Sequence, residues 1–412
     1  MAVVAGLSAQ RVRRVRGRLE TFAGEMFEGA MGRSEQRKWG GVYVRGLMLE
    51  GRRKSIEPMA ARLEDGDEQC LQQFVNQSPW DHAVVRANLA RRICAEIAPE
   101  AWIVDDTGFP KKGCWSVGVA RQYSGTLGRV DNCQIGVSIS AATDQASCPV
   151  NWRIFIPEEW DQDRERRAKA HLPEEIRHEP KWGLALAMID ELRGWGLVPP
   201  VVCADGAYGD ITEFRGGLDE RAISYVVQVK AATSAFAEQV EPERPPYRGR
   251  GRPPAARYRT KPASLRELVL RAGRRAARGI GWREGSRGRM HSRFVALRVR
   301  PANIKLRRAA HANDRELPVR WLLAEWPAGQ SEPTNYWLSN LPADTPVREL
   351  VRLAKLRWRI EHDYRELKDA LGLDHFEGRS FRGWHHHVTL VSLAHAFLTL
   401  ERRRHPRPRA AA

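Results

Sequence analysis

Long apolar runs are missing from this sequence of 412 residues. Nothing in it approaches the roughly 18 consecutive apolar residues of a membrane-crossing helix, which excludes channels and transporters built on such helices. Cysteine is sparse and unpatterned, with six residues at 70, 94, 114, 133, 148 and 203 and no CxxC pair. That usage speaks against a disulfide framework or a cysteine zinc site and fits reduced thiols in a cytosolic protein. An export signal is lacking too. In MAVVAGLSAQRVRRVRGRLE the apolar stretch comes before the arginines, the reverse of a secretory leader. Acidic charge is what one segment lacks. From Arg244 to Arg300 there are seventeen arginines and one lysine against Glu267 and Glu284, a net of +16 in a chain whose total is +18. The excess is therefore a patch, and a patch of this size calls for a polyanionic partner, of which nucleic acid is the commonest.

The length implies two or three domains. Residues 1–98 read as a small basic helical domain suited to DNA. RRVRGRLETFAGEM is amphipathic, SIEPMAARL opens on a serine cap, and SPWDHAVVRANLARRICAEI follows a Ser-Pro start. The texture then changes. AWIVDDTG is an apolar run ending in acid, NCQIGVSISAA and VNWRIFIP are two further strands, and a helix over about 181–195 leads into PPVVCADGAYGD. Another helix and the strand AISYVVQVK follow. Residues 99–230 thus predict the first part of an α/β core with a mixed sheet. Residues 231–340 predict a basic, β-rich insertion. Within it RGRGRPP, carrying Arg250 and Arg252, reads first as a flexible basic linker and second as a core of the AT-hook kind, which lies in a narrow minor groove. Residues 341–405 return to the core. Asp344 or Thr345 caps one long helix, Pro346 suits its first turn and Gly372 its end, with a last helix over about 384–403. The histidines at 385–387 read as polar surface or phosphate contacts rather than a metal site.

Three carboxylates stand out. Asp106 and Asp205 each end a predicted strand, the place where open α/β sheets put functional groups. Asp105 faces the opposite side of its strand and is the reserve for Asp106; Asp210 and Glu366 are the competing acids. Glu361 sits in RWRIEHDYRELK, where Arg357, Glu361 and Lys368 have offsets that share one face of a helix. Carboxylates converging from two strands and a helix require a compensating cation. Mg²⁺, with its preference for a few oxygen ligands plus phosphate, suits them, and a pair of such ions suits phosphodiester transfer.

VDDTGFPKKG, CADGAYGD and RWRIEHDYRELKDALGLDHFEGRS resemble the three acidic blocks of insertion-sequence DDE transposases, enzymes with an RNase H-like core and a YREK signature around the last carboxylate. The resemblance covers roughly residues 100–395. It implies that Asp106, Asp205 and Glu361 are the catalytic, metal-binding triad, with two Mg²⁺ or Mn²⁺ ions, and that Arg357 and Lys368 contact DNA near the element's end. It implies a basic β-rich insertion in which Trp337 of NYWLSN stacks on an unpaired base, although a core tryptophan on a strand is an equally good reading. One position departs from the pattern. The signature tyrosine belongs seven residues before the glutamate, where Ala354 stands, and Tyr364 is a candidate replacement. The expectation is a transposase of the bacterial cytosol that binds terminal inverted repeats and target DNA, cleaves and joins strands, and acts as a dimer on paired ends. The rivals are an RNase H-like nuclease that does not join and a retired, DNA-binding descendant. Glycoside hydrolysis by paired carboxylates leaves the basic segment unexplained.

Overall fold

A computed structural model of the chain describes residues 9–247, 249, 254–285 and 288–405. Arg250 and Arg252 lie outside the described residues. The chain forms two compact units, one of Met1–Glu100, Asp105–Val198 and Arg359–Ala412, the other of Ala101–Val104 and Pro199–Trp358.

The first unit opens with five helices, α1 (Ala9–Phe27), α2 (Ser34–Met48), α3 (Ile56–Ala60), α4 (Glu68–Asn76) and α5 (His82–Ile97). Carboxylates set two of their starts. Asp67 accepts the Cys70 N–H, and Asp81 accepts those of Ala83 and Val84. The cap of α5 is thus Asp81, not the serine of the Ser-Pro pair, because only the aspartate precedes the first helical residue. Strand β1 (Ala101–Pro110) contributes its first four residues to the second unit and the rest to the first. Next come β2 (Ala120–Ser124), β3 (Arg129–Ala142) and β4 (Ser147–Ile154), with β3 antiparallel to both of the others and flanking β1. Short helices α6 (Glu159–Gln162) and α7 (Arg164–Lys169) lead to α8 (Lys181–Gly194).

In the second unit, β5 (Val202–Ala204) runs parallel to β1, with Ile103 opposite Cys203. Helices α9 (Gly206–Gly209) and α10 (Thr212–Glu220) separate it in sequence from β6 (Tyr225–Val229), again parallel. The basic segment then supplies β7 (Ser234–Ala237), β8 (Ala263–Ser264), α11 (Leu265–Ala272), β9 (Arg278–Gly285), β10 (Gly288–Pro301), α12 (Ile304–Ala312), β11 (Arg320–Glu325) and β12 (Asn335–Ser339). β12 returns to pair antiparallel with β6, and β11, β10, β7 and β8 follow outward. The mixed α/β sheet predicted by the sequence is observed. Its three parallel strands read as short apolar runs because both of their faces are covered. Helix α13 (Val347–Leu356) buries Leu350, Val351, Leu353, Ala354 and Leu356 and packs against β5, β6 and β9.

The predicted single helix is in fact two. It stops at Arg357 and restarts as α14 (Trp358–Asp369), followed by α15 (Phe381–Arg404). Gly372 adopts φ +68, the left-handed turn that ends a helix without a Cβ clash. In the first unit α15 packs against β4, α2, α4 and α5, and its histidines correct the sequence reading. His385, His386 and His387 are not surface groups but buried, at 1%, 0% and 0% exposure. His386 and His387 hydrogen-bond to carbonyls from elsewhere in the unit, which replace water for them, His386 also stacks on Trp80, and His385 stacks on His82. All six cysteines are free. Among the described residues no helix is long and apolar enough to cross a membrane.

Candidate active site

β1 carries the first acidic block. Alternation along the strand separates its two aspartates. Asp105 is buried, at 8% exposure, and its carboxylate accepts the backbone N–H of Asp106 at 2.8 Å. The Asp106 side chain is more open, at 17%, and its Oδ2 accepts a hydrogen bond from Lys181 Nζ at 2.9 Å. Sequence reasoning took Lys181 only as the start of a helix. The available signal was a cation at the first helical position, where the peptide dipoles favour an anion.

Asp205 follows directly on β5 and caps the short helix α9, its Oδ1 accepting the Ala207 N–H at 2.9 Å. Gly209 has a specific reason to be glycine, since a Cβ there would stand 1.9 Å from the Gln228 carbonyl oxygen. Asp210, the competing acid, accepts the Lys230 N–H at 2.7 Å and pairs with its ammonium at 3.3 Å. Its carboxylate fastens the start of the chain after β6.

Glu361 lies in the first turn of α14 and is exposed. Its neighbours are tied to the protein itself. Tyr364 is 9% exposed and its hydroxyl shares a 2.8 Å hydrogen bond with Ser138 Oγ. Glu366 is held by Arg402, at 2.8 Å for one of the two contacts, and faces His395 at 3.7 Å; burial alone would raise its carboxyl, but the hydrogen bonds from these two side chains outweigh it and keep the carboxyl well below the usual range. Ala354 is buried in α13, so a tyrosine there would have to displace packed side chains. Arg357 occupies the break between α13 and α14, and the single-helix face expected to join it to Glu361 and Lys368 is interrupted there.

Lys368 donates to the Gly108 carbonyl and to Thr126 Oγ1, both at 2.8 Å, and burial lowers its pKa. It thereby ties the β2–β3 turn to β1, two residues beyond Asp106. Lys368→Met should lower stability by about 2 kcal/mol and speed amide exchange at Leu127 and Gly128, which hydrogen-bond back to Ser124. Unchanged exchange there would show that the tie does not order the turn. Trp337, the proposed stacking residue, is 6% exposed on β12, with Lys355 Nζ 5.3 Å from its ring. Its face is turned to a lysine that is itself paired with Glu325 at 2.6 Å.

A family model described as DDE superfamily endonuclease matches residues 26–289, well over half of the chain. The chain belongs to the DDE superfamily endonucleases. The match contains Asp106 and Asp205 and ends before Glu361. The sequence is also similar to a probable transposase for insertion sequence element IS701 from Microchaete diplosiphon, with 27% identity over 189 residues, 45% of this chain and 47% of the relative. The similarity therefore spans about half the length of that relative. A mixed sheet with flanking helices is the RNase H-like arrangement of such transposases.

The donor chemistry fits a hard divalent cation, since all three positions offer carboxylate oxygen. Lys181 already supplies positive charge at one of them. Asp106 and Glu361 belong to the first unit and Asp205 to the second. Among the described residues, no three or more His, Cys, Asp or Glu side chains are gathered as a metal-holding group.

Proposed function

We propose that this DDE-family protein is the transposase of an insertion sequence, binding the terminal inverted repeats of its element, cleaving strands there and joining the freed 3′ ends to target DNA. The observation that carries the reading is the family match across the first two acidic blocks, supported by the name of the IS701 relative and by the ordered third block around Glu361. Asp106, Asp205 and Glu361 would hold Mg²⁺ or Mn²⁺, two ions in the usual form of this chemistry, which polarise the scissile phosphate and activate the attacking oxygen. The chain's own residues prepare the ground. Asp205 is oriented by a backbone N–H, Asp106 by the ammonium of Lys181, and Lys368 fixes the strand end and turn beside Asp106. The arginine-rich strands of the second unit supply the field that draws DNA, and its affinity should fall steeply with salt. Two ends brought together imply a homodimer on DNA.

The test is a cleavage and strand-transfer assay on end-labelled DNA carrying the flanking repeats, with Mg²⁺ or EDTA, beside Asp205→Ala. Metal-dependent nicking and joined product, both lost in the variant, are expected. Nicking without joining would replace the transposase by a nuclease, and binding without chemistry under any divalent ion would indicate a retired, DNA-binding descendant.

A further inference from the structure

Lys181 sits where its own helix offers it nothing. It is the first residue of α8, Pro180 stands in the cap position without a side-chain cap, and the first turn contains no acidic residue. A helix N-terminus carries partial positive charge and disfavours a cation. What offsets this is the Asp106 carboxylate at 2.9 Å, together with the ring of Phe155, whose centroid lies 5.7 Å from the ammonium. The support is itself fastened. Phe155 meets His178 edge-on at 5.5 Å, the His178 ring hydrogen-bonds the Ile156 carbonyl at 2.8 Å, and the His178 N–H reaches both carboxylate oxygens of Asp161 at 2.9 and 3.1 Å. The lysine is 31% exposed and the aspartate 17%, so the pair is accessible to ions from solvent without being fully screened by it.

We propose that Lys181 is a built-in counter-cation for Asp106, one that a divalent ion must displace before this carboxylate can become its ligand. The inference rests on the reading of Asp106 as a metal-holding residue. In the free protein the ammonium holds the carboxylate pointed at one place, at 2.9 Å. A divalent ion brings twice the charge but has to break an existing ion pair. Its affinity is therefore set by the difference between the two contacts, and the lysine weakens metal binding while preserving the geometry that metal binding needs. Lys181 acts through Asp106 and is a positioning residue.

The experiment titrates Mn²⁺ into full-length, metal-free protein by calorimetry, with no DNA present. It compares the wild type with Lys181→Met, Lys181→Arg, Asp106→Asn and the Asp106→Asn/Lys181→Met double variant. Lys181→Met should bind Mn²⁺ about fivefold more tightly, the gain expected when a partly exposed ion pair no longer competes. Lys181→Arg should behave as the wild type, because it restores the charge. Asp106→Asn should weaken binding, and in the double variant the gain from removing the lysine should vanish. Unchanged or weaker binding in Lys181→Met, with Asp106→Asn still impaired, overturns the inference and leaves the metal reading of Asp106 standing. Unchanged binding in Asp106→Asn overturns both. Should the methionine variant melt early, Lys181→Gln provides the same comparison.

Discussion

Glu361→Gln should reduce strand cleavage by about a thousandfold or more while leaving affinity for the DNA ends within about twofold. The substitution keeps the size and hydrogen-bonding reach of the side chain and removes its negative charge. The residue is exposed on the first turn of α14 and supports no buried packing, so folding should be unaffected. Two of the other acids on the helix cannot readily take its place. Asp363 is 1% exposed, and Glu366 is clamped by Arg402. Gel-shift titration and a cleavage assay in Mg²⁺ measure the two quantities on the same preparation. Lost binding would make Glu361 a structural or DNA-contacting residue. Retained cleavage would move the third carboxylate away from this block altogether, a result of particular weight because the family match ends before it.

The positions of the first two carboxylates were legible because buried parallel strands betray themselves locally. AWIV and PPVVCA are apolar runs that end in acid, and β1 and β5 lie where they predict. β2 was not legible. ARQYS has an exposed Arg121 and a Tyr123 exposed at 62%, so it forms an edge strand with no apolar run to mark it. The break at Arg357 left no trace either, since neither proline nor glycine interrupts KLRWRIE and the residue keeps helical dihedrals of −56° and −23°. The partner of Asp106 lies 75 residues away. Pairwise contacts of that range leave only indirect marks, here a lysine placed against the dipole of its own helix.

The histidines of α15 were misread for the same reason, and their burial has a large consequence for pH. His387 accepts from the Tyr43 hydroxyl at 2.9 Å and donates to the Gly372 carbonyl at 3.1 Å, so its neutral form is fully satisfied. Burial pushes its pKa from 6.5 down to about 3, with Lys111 and His375 adding repulsion, and that of His386 to about 4, with Arg382 and Arg86 nearby. His385 is also held well below its ordinary value, chiefly by burial; it stacks on His82 at 4.7 Å, and neither of its ring nitrogens has a hydrogen-bond partner. Above pH 6.5 these groups are neutral in both folded and unfolded chains and cost nothing. Below it the unfolded chain takes up protons that the folded chain refuses, so stability falls with pH until the folded pKa values are reached. At pH 4 the loss on His387 alone is about 3 kcal/mol, a large part of the total stability of an ordinary domain. Glu366, whose folded carboxyl is also lowered, adds a further loss below about pH 4.5. The urea midpoint should therefore fall continuously from pH 7 to pH 4. His385→Leu should flatten that fall with little change at pH 7, because it removes a proton acceptor that makes no hydrogen bond. A midpoint that holds steady to pH 4, or a variant that falls as steeply as the wild type, would mean that α15 admits protonated imidazole without giving up its packing.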